Sequence, residues 1–275
     1  MRKRILLVCD LEGVNNVVGE PYLGLSASSD EWEIARRQGA REVNAAAEAL
    51  FDAGVEKVAL WDNHGGGGNI DPLDLDSRIE LIEAPKGEPR MSFAKGQFDC
   101  VCFFGYHTME GTLGGVLAHT MNSKMVQHYK LNGKYIGEID IDAYIAASMG
   151  MPSVFFAGGD IACRQAKRAV SEIVTVETKK ELERNKAVFR DNAELFGEIK
   201  SEIVRAVCLE SAPCELEFPC VVEKSYKRVE DAAKYLQRSI DRGLSADYAD
   251  DAILGKDAHT VVSVVNNIDE FIKAI

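Results

Sequence analysis

The sequence predicts an α/β fold, with a mostly parallel sheet flanked by helices and a smaller C-terminal α+β domain. Short apolar runs alternate with helical patterns through the first two-thirds of the 275 residues, which is typical of parallel strands joined by helices. After about residue 210 the pattern changes to isolated strand and helix segments. With 46% hydrophobic residues, the chain is long enough to bury a substantial core.

Four apolar runs, at residues 5–9, 55–60, 100–104 and 153–157, are the predicted strands of the main sheet. Basic residues precede the first run, as in a secretion signal, but Asp10 ends its apolar stretch too early for one. A first strand explains this segment better. Elsewhere no run approaches the roughly 18 apolar residues of a membrane span. We therefore expect a cytoplasmic protein without a membrane partner.

Two helices are predicted to connect these strands. The first is expected to open at Asp30, with Glu33 completing a capping box, and to close at Gly54. The second covers about residues 139–149 and stops before Pro152. Each helix leads into the next predicted strand, so both form crossover connections of a parallel sheet.

The last third of the chain predicts a long helix and then a smaller unit. Apolar residues recur at helical spacing over residues 181–207, so one amphipathic helix is expected there. We place a domain boundary near residue 211, which divides the chain into an α/β metal-binding catalytic domain, 1–210, and a smaller α+β domain, 211–275. The smaller domain is expected to contain a strand near 214–222, a helix from Val229 closed by Gly243, a strand at 260–265 and a final helix.

Charge and cysteine usage exclude some classes of function. The chain has 32 Lys and Arg against 44 Asp and Glu, a formal charge of −12, with no basic stripe, so a nucleic-acid partner is disfavoured. The seven cysteines show no Cys-x-x-Cys spacing. We interpret them as buried or incidental thiols in a reducing compartment, with a thiolate nucleophile as the alternative.

Polar residues follow three of the predicted strands. Asp10 and Glu12 come after the first strand, and carboxylates at positions i and i+2 of an extended backbone project from the same face, where they could hold a cation. Alternatively, one caps the next element and the other is solvated. His64 follows the second strand and His107 the third. Each histidine alone would more simply be a turn residue.

Four glycines, at positions 65–68, follow His64. No Gly-Lys-Ser or Gly-Lys-Thr sequence accompanies them and no convincing helix begins there, so they do not form a phosphate-binding loop. A nucleotide-binding protein is therefore a weak alternative.

The chain has only five histidines, and His119 is a third member of the same region. Glu138 follows it, directly ahead of a predicted helix. Since parallel strands deliver their carboxyl ends to one edge of a sheet, we expect these imidazoles and carboxylates to meet, a mixture that suits Zn²⁺. His128 is interpreted as a peripheral or surface residue, and His259 as structural.

Taken together, the motifs resemble those of a known family, the zinc-dependent D-aminopeptidases of peptidase family M55. The matching segments occur in the family's order over about residues 5–160: Asp10-Leu11-Glu12-Gly13, Asp62-Asn63-His64, Gly105-Tyr106-His107, His119-Thr120-Met121 and Gly137-Glu138. Asn63 departs from the family's pattern, in which a serine commonly precedes the ligand histidine. The C-terminal third matches only loosely.

This resemblance implies a two-zinc site in each subunit and a function in hydrolysis of short peptides with N-terminal D-amino acids. Asp10 would bridge the zinc ions, with Glu12 and His107 completing one site and His64 and Glu138 the other. His119 matches the catalytic histidine, as a nucleophile, a general acid/base or an oxyanion-stabilising group. The family also implies a homo-oligomer, with a decameric ring reported for the type enzyme.

Two other functions fit the same residues. A dinuclear amidohydrolase could act on a non-peptide substrate, because fold and metal do not fix the substrate. A metal-binding module without turnover could keep the five ligands, but it would have no need for His119.

Overall fold

The computed structural model describes residues 1–21 and 24–275. Its strands, in chain order, are β1 (Arg4–Cys9), β2 (Lys57–Asp62), β3 (Glu80–Ile82), β4 (Cys100–Tyr106), β5 (Val126–Leu131), β6 (Lys134–Ile136), β7 (Ser153–Gly158), β8 (Val174–Glu177), β9 (Lys179–Glu183), β10 (Lys186–Phe189), β11 (Cys220–Tyr226), β12 (Ser245–Asp251) and β13 (Gly255–Val265). Its α-helices are α1 (Trp32–Asp52), α2 (Glu138–Ser148), α3 (Asp160–Ala169), α4 (Asn192–Cys208), α5 (Val229–Asp241) and α6 (Ile268–Ala274). Among these, no helix is long and apolar enough to cross a membrane.

Six parallel strands form the main sheet, in the order β3-β2-β1-β4-β7-β8. The predicted α/β class and the four predicted strands are confirmed. The chain moves outward from β1 to β2 and β3, and then returns to the other side of β1 to form β4. This reversal makes a topological switch point between β1 and β4, where open α/β sheets form their ligand crevices.

The central strand β1 is buried on both faces because helices or a second sheet cover each one. Ile5 and Leu7 pack into a core shared with α1 and α4, whereas Leu6 and Val8 face a core shared with α2, α3 and the smaller sheet. Both-sided burial explains the continuous apolar run that predicted this strand.

A second, antiparallel sheet of five strands has the order β12-β13-β11-β5-β6. Its strands β5 and β6 lie in the sequence before residue 211, and the other three lie after it. The smaller sheet therefore contains segments from both sides of the predicted boundary. The division of the chain into two domains at this residue stays a prediction.

Helix α1 begins later than expected. The predicted capping box of Asp30 and Glu33 is wrong, because the residue at the helix N-cap is Glu31 and its side chain does not cap the helix. The Glu31 carboxylate instead accepts hydrogen bonds from the backbone N–H groups of Val18 and Gly19, at 2.8 and 2.6 Å. The other end is as predicted: Gly54, with a φ of 85°, terminates the helix.

The single long helix expected over residues 181–207 is wrong in its first third. The antiparallel strands β9 and β10 form a hairpin there, and α4 begins only at Asn192. Asp191 fixes this start, because its carboxylate accepts hydrogen bonds from the N–H groups of Ala193 and Glu194. Leu182 and Phe189, which suggested a longer helix, lie on the hairpin and are each 41% exposed.

In the last third, the predicted α5, β13 and α6 are present. The strand expected near 214–222 begins at Cys220. Strand β12 was not predicted, because the run Ser245–Asp251 contains three aspartates and little apolar surface.

Candidate metal centre

All six side chains singled out in the sequence meet at the carboxyl edge of the main sheet. Asp10 and Glu12 follow β1, His64 follows β2 and His107 follows β4, while Glu138 is the first residue of α2. His119 lies in the connection between β4 and β5. Their ligand atoms form three overlapping groups, in each of which the atoms lie within 4.8 Å of one another.

Two glycines allow the segments after β1 and β4 to approach so closely. The Gly13 N–H donates a 2.6 Å hydrogen bond to the Gly105 carbonyl. A Cβ atom on Gly105 would lie 2.0 Å from the Asp10 carbonyl oxygen, and one on Gly13 would lie 2.0 Å from that of Tyr106. Gly105 also has a φ of 66°, in the left-handed region. Any side chain at these positions would push the Asp10 and His107 segments apart.

The cluster divides into two halves that share Asp10. One half contains Asp10, Glu12 and His64, with the His64 Nδ1 atom 2.9 Å from both Asp10 Oδ1 and Glu12 Oε2. The other contains Asp10, His107 and Glu138, with His107 Nε2 at 3.6 Å from Asp10 Oδ2 and 3.3 Å from Glu138 Oε1. Asp10 belongs to both halves, as a residue that bridges two metal ions would. A third group, Glu12, His107 and His119, spans the two halves, so the pairing of ligands that the resemblance implied stays a prediction.

Backbone carbonyls orient two of the imidazoles. His107 Nδ1 is 3.0 Å from the Thr108 carbonyl, and His119 Nδ1 is 2.8 Å from the Leu117 carbonyl. A carbonyl oxygen only accepts, so each Nδ1 carries the proton and donates. The Nε2 atom of each ring thereby faces the carboxylates, and it can bind a metal ion when the ring is neutral. The two rings stack, with centroids 3.9 Å apart.

Burial and mutual charge shift the ionisation of the cluster. Burial alone would lower the pKa of His64, but the charge of Glu12 and hydrogen bonds to Asp10 and Glu12 outweigh it and raise the pKa to about 11. For His107 the charge of Glu138 likewise outweighs burial and raises the pKa to about 10. Burial raises the pKa of Asp10, helped by the neighbouring Glu12. Three carboxylates in one buried site thus favour a positively charged group beside them.

The donor set and one unpartnered atom fit zinc. His107 Nε2 is buried without a hydrogen-bond partner among the described residues. Imidazole nitrogen together with carboxylate oxygen is the ligand mixture of catalytic zinc sites, and such histidines typically donate their other N–H to a carbonyl, as His107 does. The residues present therefore fit a zinc centre.

A hydrogen-bonded network beside the cluster was not predicted. Asn63 donates a 2.8 Å hydrogen bond to the Tyr106 hydroxyl, which donates to Asp142 at 2.6 Å. Both oxygens of Asp142 are paired with Arg90, at 2.5 and 2.8 Å. The only sequence signal is that Asp142 stands four residues after Glu138, on the same face of α2. Asn63, where the sequence departs from the family pattern, is thus an anchor for Tyr106.

The cluster lies on the wall of a cavity of about 360 Å³. Other parts of this wall come from residues 24–26, 63–65 and 121–124 and from Arg90 and Arg184. His128 and His259 lie on β5 and β13 and do not join the cluster. Burial raises the pKa of Cys9 well above its usual value, the opposite of what a thiolate nucleophile requires.

The fold and the sequence are both similar to those of known proteins. A solved structure, the Zn-dependent D-aminopeptidase DppA from Bacillus subtilis, described as a self-compartmentalizing protease, superposes with a TM-score of 0.83 at 21% identity. The superposition covers 98% of this chain and 94% of that one, so the two proteins share their fold.

In sequence, the chain is 24% identical to the D-aminopeptidase of Bacillus subtilis (strain 168) over 183 residues. This alignment spans 66% of the chain and 65% of that relative, slightly less than two thirds of its length. The family model described as D-aminopeptidase, peptidase family M55, matches residues 3–240, which contain the whole cluster. The chain therefore belongs to the M55 D-aminopeptidase family.

Proposed function

We propose that this protein is a zinc-dependent aminopeptidase that hydrolyses short peptides with an N-terminal D-amino acid. The observation that carries the proposal is the cluster of three carboxylates and three imidazoles at the switch point between β1 and β4. We assign two zinc sites to each subunit, with Asp10 shared, Glu12 and His64 on one side, and His107 and Glu138 on the other. His119 is assigned a catalytic role.

When bound, a pair of zinc ions supplies Lewis-acid polarisation of a carbonyl group and makes water a stronger acid. The protein contributes the geometry. The Glu138 carboxylate is held by a 2.6 Å hydrogen bond from the Met121 N–H, and His107 is held by the Thr108 carbonyl. The three buried carboxylates would offset most of the charge of the two zinc ions.

His119 is the group that transfers protons. Its Nδ1–H donates to the Leu117 carbonyl, and its Nε2 lies 4.0 Å from Glu12 and 3.8 Å from Glu138. At 13% exposure its side chain also borders the cavity, whereas His107 is almost fully enclosed. His119 Nε2 can therefore accept a proton from the attacking water and donate it to the leaving amine.

We also propose a homo-oligomer, for which a decameric ring is the specific expectation. The related DppA structure is described as self-compartmentalizing, which requires assembly of several subunits. Large apolar side chains are exposed on this chain, among them Leu113 at 97% and Leu73 and Ile253 at 92% each. Burial between subunits would remove this surface from water. Light scattering on a sizing column tests the number of subunits. The cytoplasmic location stays a prediction.

A substrate screen with defined metal content tests the main proposal. The purified protein is stripped with a chelator, reloaded with zinc and assayed on D-Ala-D-Ala, L-Ala-L-Ala and simple amides. We expect zinc-dependent cleavage of the D-dipeptide and about two zinc ions per chain. His107→Ala and Asp10→Ala should each lower the bound zinc as well as hydrolysis. Undiminished zinc in both variants would contradict the ligand assignment, and cleavage of amides but not peptides would favour the non-peptide amidohydrolase.

A further inference from the structure

Charge is unevenly distributed over the wall of the metal-centre cavity. The three carboxylates of the cluster are buried, with Asp10, Glu12 and Glu138 exposed by 3%, 4% and 8%. The basic residues Lys124 and Arg184 are exposed and line the same cavity. The floor of the cavity therefore holds the metal-binding side chains, and its mouth carries positive charge. A peptide whose scissile bond lies at this floor would direct a free C-terminal carboxylate toward the mouth.

Arg184 is fixed relative to the loop that carries His119. It occupies the turn between β9 and β10, and its carbonyl accepts a 2.8 Å hydrogen bond from the Leu117 N–H. Its Nη1 donates a 2.7 Å hydrogen bond to the Ala118 carbonyl. These contacts tie the turn to the two residues before His119. In the described part of the chain, no acidic side chain lies within ion-pair distance of the guanidinium.

We infer that Arg184 binds the C-terminal carboxylate of the substrate peptide, and so selects short peptides with a free C-terminus over blocked ones. This inference rests on the proposed aminopeptidase function. A guanidinium presents several N–H donors in one plane, which suits a carboxylate, and here a single nitrogen is occupied by the Ala118 carbonyl. With the scissile bond at the metal centre on the floor, the distance to the mouth sets an upper limit on peptide length.

The other two basic residues of the cavity are less suited to this role. Arg90 already pairs with both oxygens of Asp142. Lys124 is exposed, and nothing among residues 1–21 and 24–275 holds its ammonium group in place. Of these three residues, only Arg184 is both held by hydrogen bonds to the backbone and left with N–H donors that face no other partner among the described residues.

The test compares D-Ala-D-Ala with its C-terminal amide in the zinc-loaded enzyme. For the wild type we expect kcat/KM to favour the free acid by about 10- to 100-fold, the range of one charge-assisted pair. Arg184→Met should bring this ratio close to one by raising KM for the acid, and Arg184→Lys should restore part of it. Lys186→Met is the matched control, because it removes one positive charge from the same hairpin without touching the cavity. It should leave the ratio unchanged.

A purely structural role of Arg184 would give a different result. Loss of its hydrogen bond to the Ala118 carbonyl would then slow hydrolysis of the acid and of the amide equally. An unchanged ratio of kcat/KM for the two substrates would overturn the inference. The inference would also be overturned if Lys124→Met lost the preference for the free acid while Arg184→Met kept it.

Binding of a non-hydrolysable analogue separates this inference from the proposed activity. The dipeptide with its peptide bond replaced by CH₂–NH, as acid and as amide, is titrated into the zinc-loaded protein by calorimetry. Tighter binding of the acid that disappears in Arg184→Met supports the inference even if turnover is absent. Equal binding of acid and amide overturns it while leaving hydrolysis intact. Acetate and phosphate, titrated alone, should bind far more weakly than the acid analogue, and phosphate binding of equal strength would mark a general anion site instead.

Discussion

The Lys179 ammonium group donates a 2.6 Å hydrogen bond to the backbone carbonyl of Glu12. It donates two more, of 2.9 and 2.5 Å, to the carbonyls of Val14 and Val17. Lys179 is only 1% exposed, and burial lowers its pKa to about 8. One buried lysine on β9 thus holds the loop that presents Asp10 and Glu12, and this loop has no regular secondary structure of its own.

We expect Lys179→Met to lower the free energy of unfolding by about 3–5 kcal/mol, since three buried carbonyls would lose their donor. Zinc affinity should fall as well, because Glu12 would no longer be held. Denaturant unfolding and zinc titration measure the two effects. Lys180→Met is the control, because Lys180 is the exposed neighbour on the same strand. Stability and zinc binding equal to those of the control would contradict the role given to Lys179.

Gly105→Ala should be far more harmful than an alanine at another glycine of similar conformation. Its Cβ atom would overlap the Asp10 carbonyl at 2.0 Å, so the β1 and β4 ends must separate. Gly96 has a comparable φ of 72° but nothing within 4 Å of the added atom, so Gly96→Ala should cost only about 1–2 kcal/mol. We expect Gly105→Ala to lose at least twice as much stability, together with bound zinc. Thermal unfolding with parallel metal analysis checks both, and equal losses in the two variants would refute the close-approach argument.

His119→Ala should keep its zinc and lose activity by about 10²- to 10⁴-fold, the usual contribution of a general acid/base. His128→Ala is the control, because His128 lies on β5 outside the cluster. Metal content and kcat are measured on the same preparations. His119 also lies within ligand distance of Glu12 and His107, so a loss of one zinc ion in His119→Ala would identify it as a ligand instead.

Lys224 should make stability depend on pH. Its ammonium group lies among the rings of Tyr129, Tyr226 and Tyr235, and burial, helped by the charges of Arg238 and Arg242, lowers its pKa from 10.5 to about 7. Between these values the unfolded chain binds a proton that the folded chain lacks, so this residue makes stability rise with pH above about 7. The slope it contributes is at most about 1.4 kcal/mol per pH unit.

Lys224→Met should remove this contribution, so the stability of the wild type relative to the variant should rise as the pH increases from 7 to 9. Urea unfolding at a series of pH values measures it. Lys234→Met, at an exposed position on α5, should leave the pH slope of the wild type unchanged. A difference between Lys224→Met and wild type that is constant with pH would show that Lys224 titrates normally.

The sequence predicted the main sheet well because its strands are buried on both faces and therefore appear as unbroken apolar runs, as residues 5–8 do. The same property located the candidate site, since Asp10, His64 and His107 each follow such a run. The hairpin β9–β10 was mistaken for part of a helix because Leu182 and Phe189 lie at helical spacing from the apolar residues of α4. Spacing alone does not show that each of these two side chains is 41% exposed.

Residues that act through tertiary contacts could not be found in this way. Lys179 and Arg184 contact segments more than 60 residues away in sequence, and nothing near them in the chain distinguishes them from surface residues. The arrangement of the candidate ligands into two halves likewise depends on distances across the switch point. These distances cannot be derived from a single sequence.

The smaller sheet has a consequence for how this protein can be divided or recombined. Its strands β5 and β6 lie in the chain between His119 and Glu138, and β5 pairs with β11 from the C-terminal segment. A foreign C-terminal segment grafted onto this chain must therefore provide a strand in register with β5, or the connection between the two site residues loses its support. The last quarter of the protein is not an interchangeable module, and it is constrained to change together with the segment that joins His119 to Glu138.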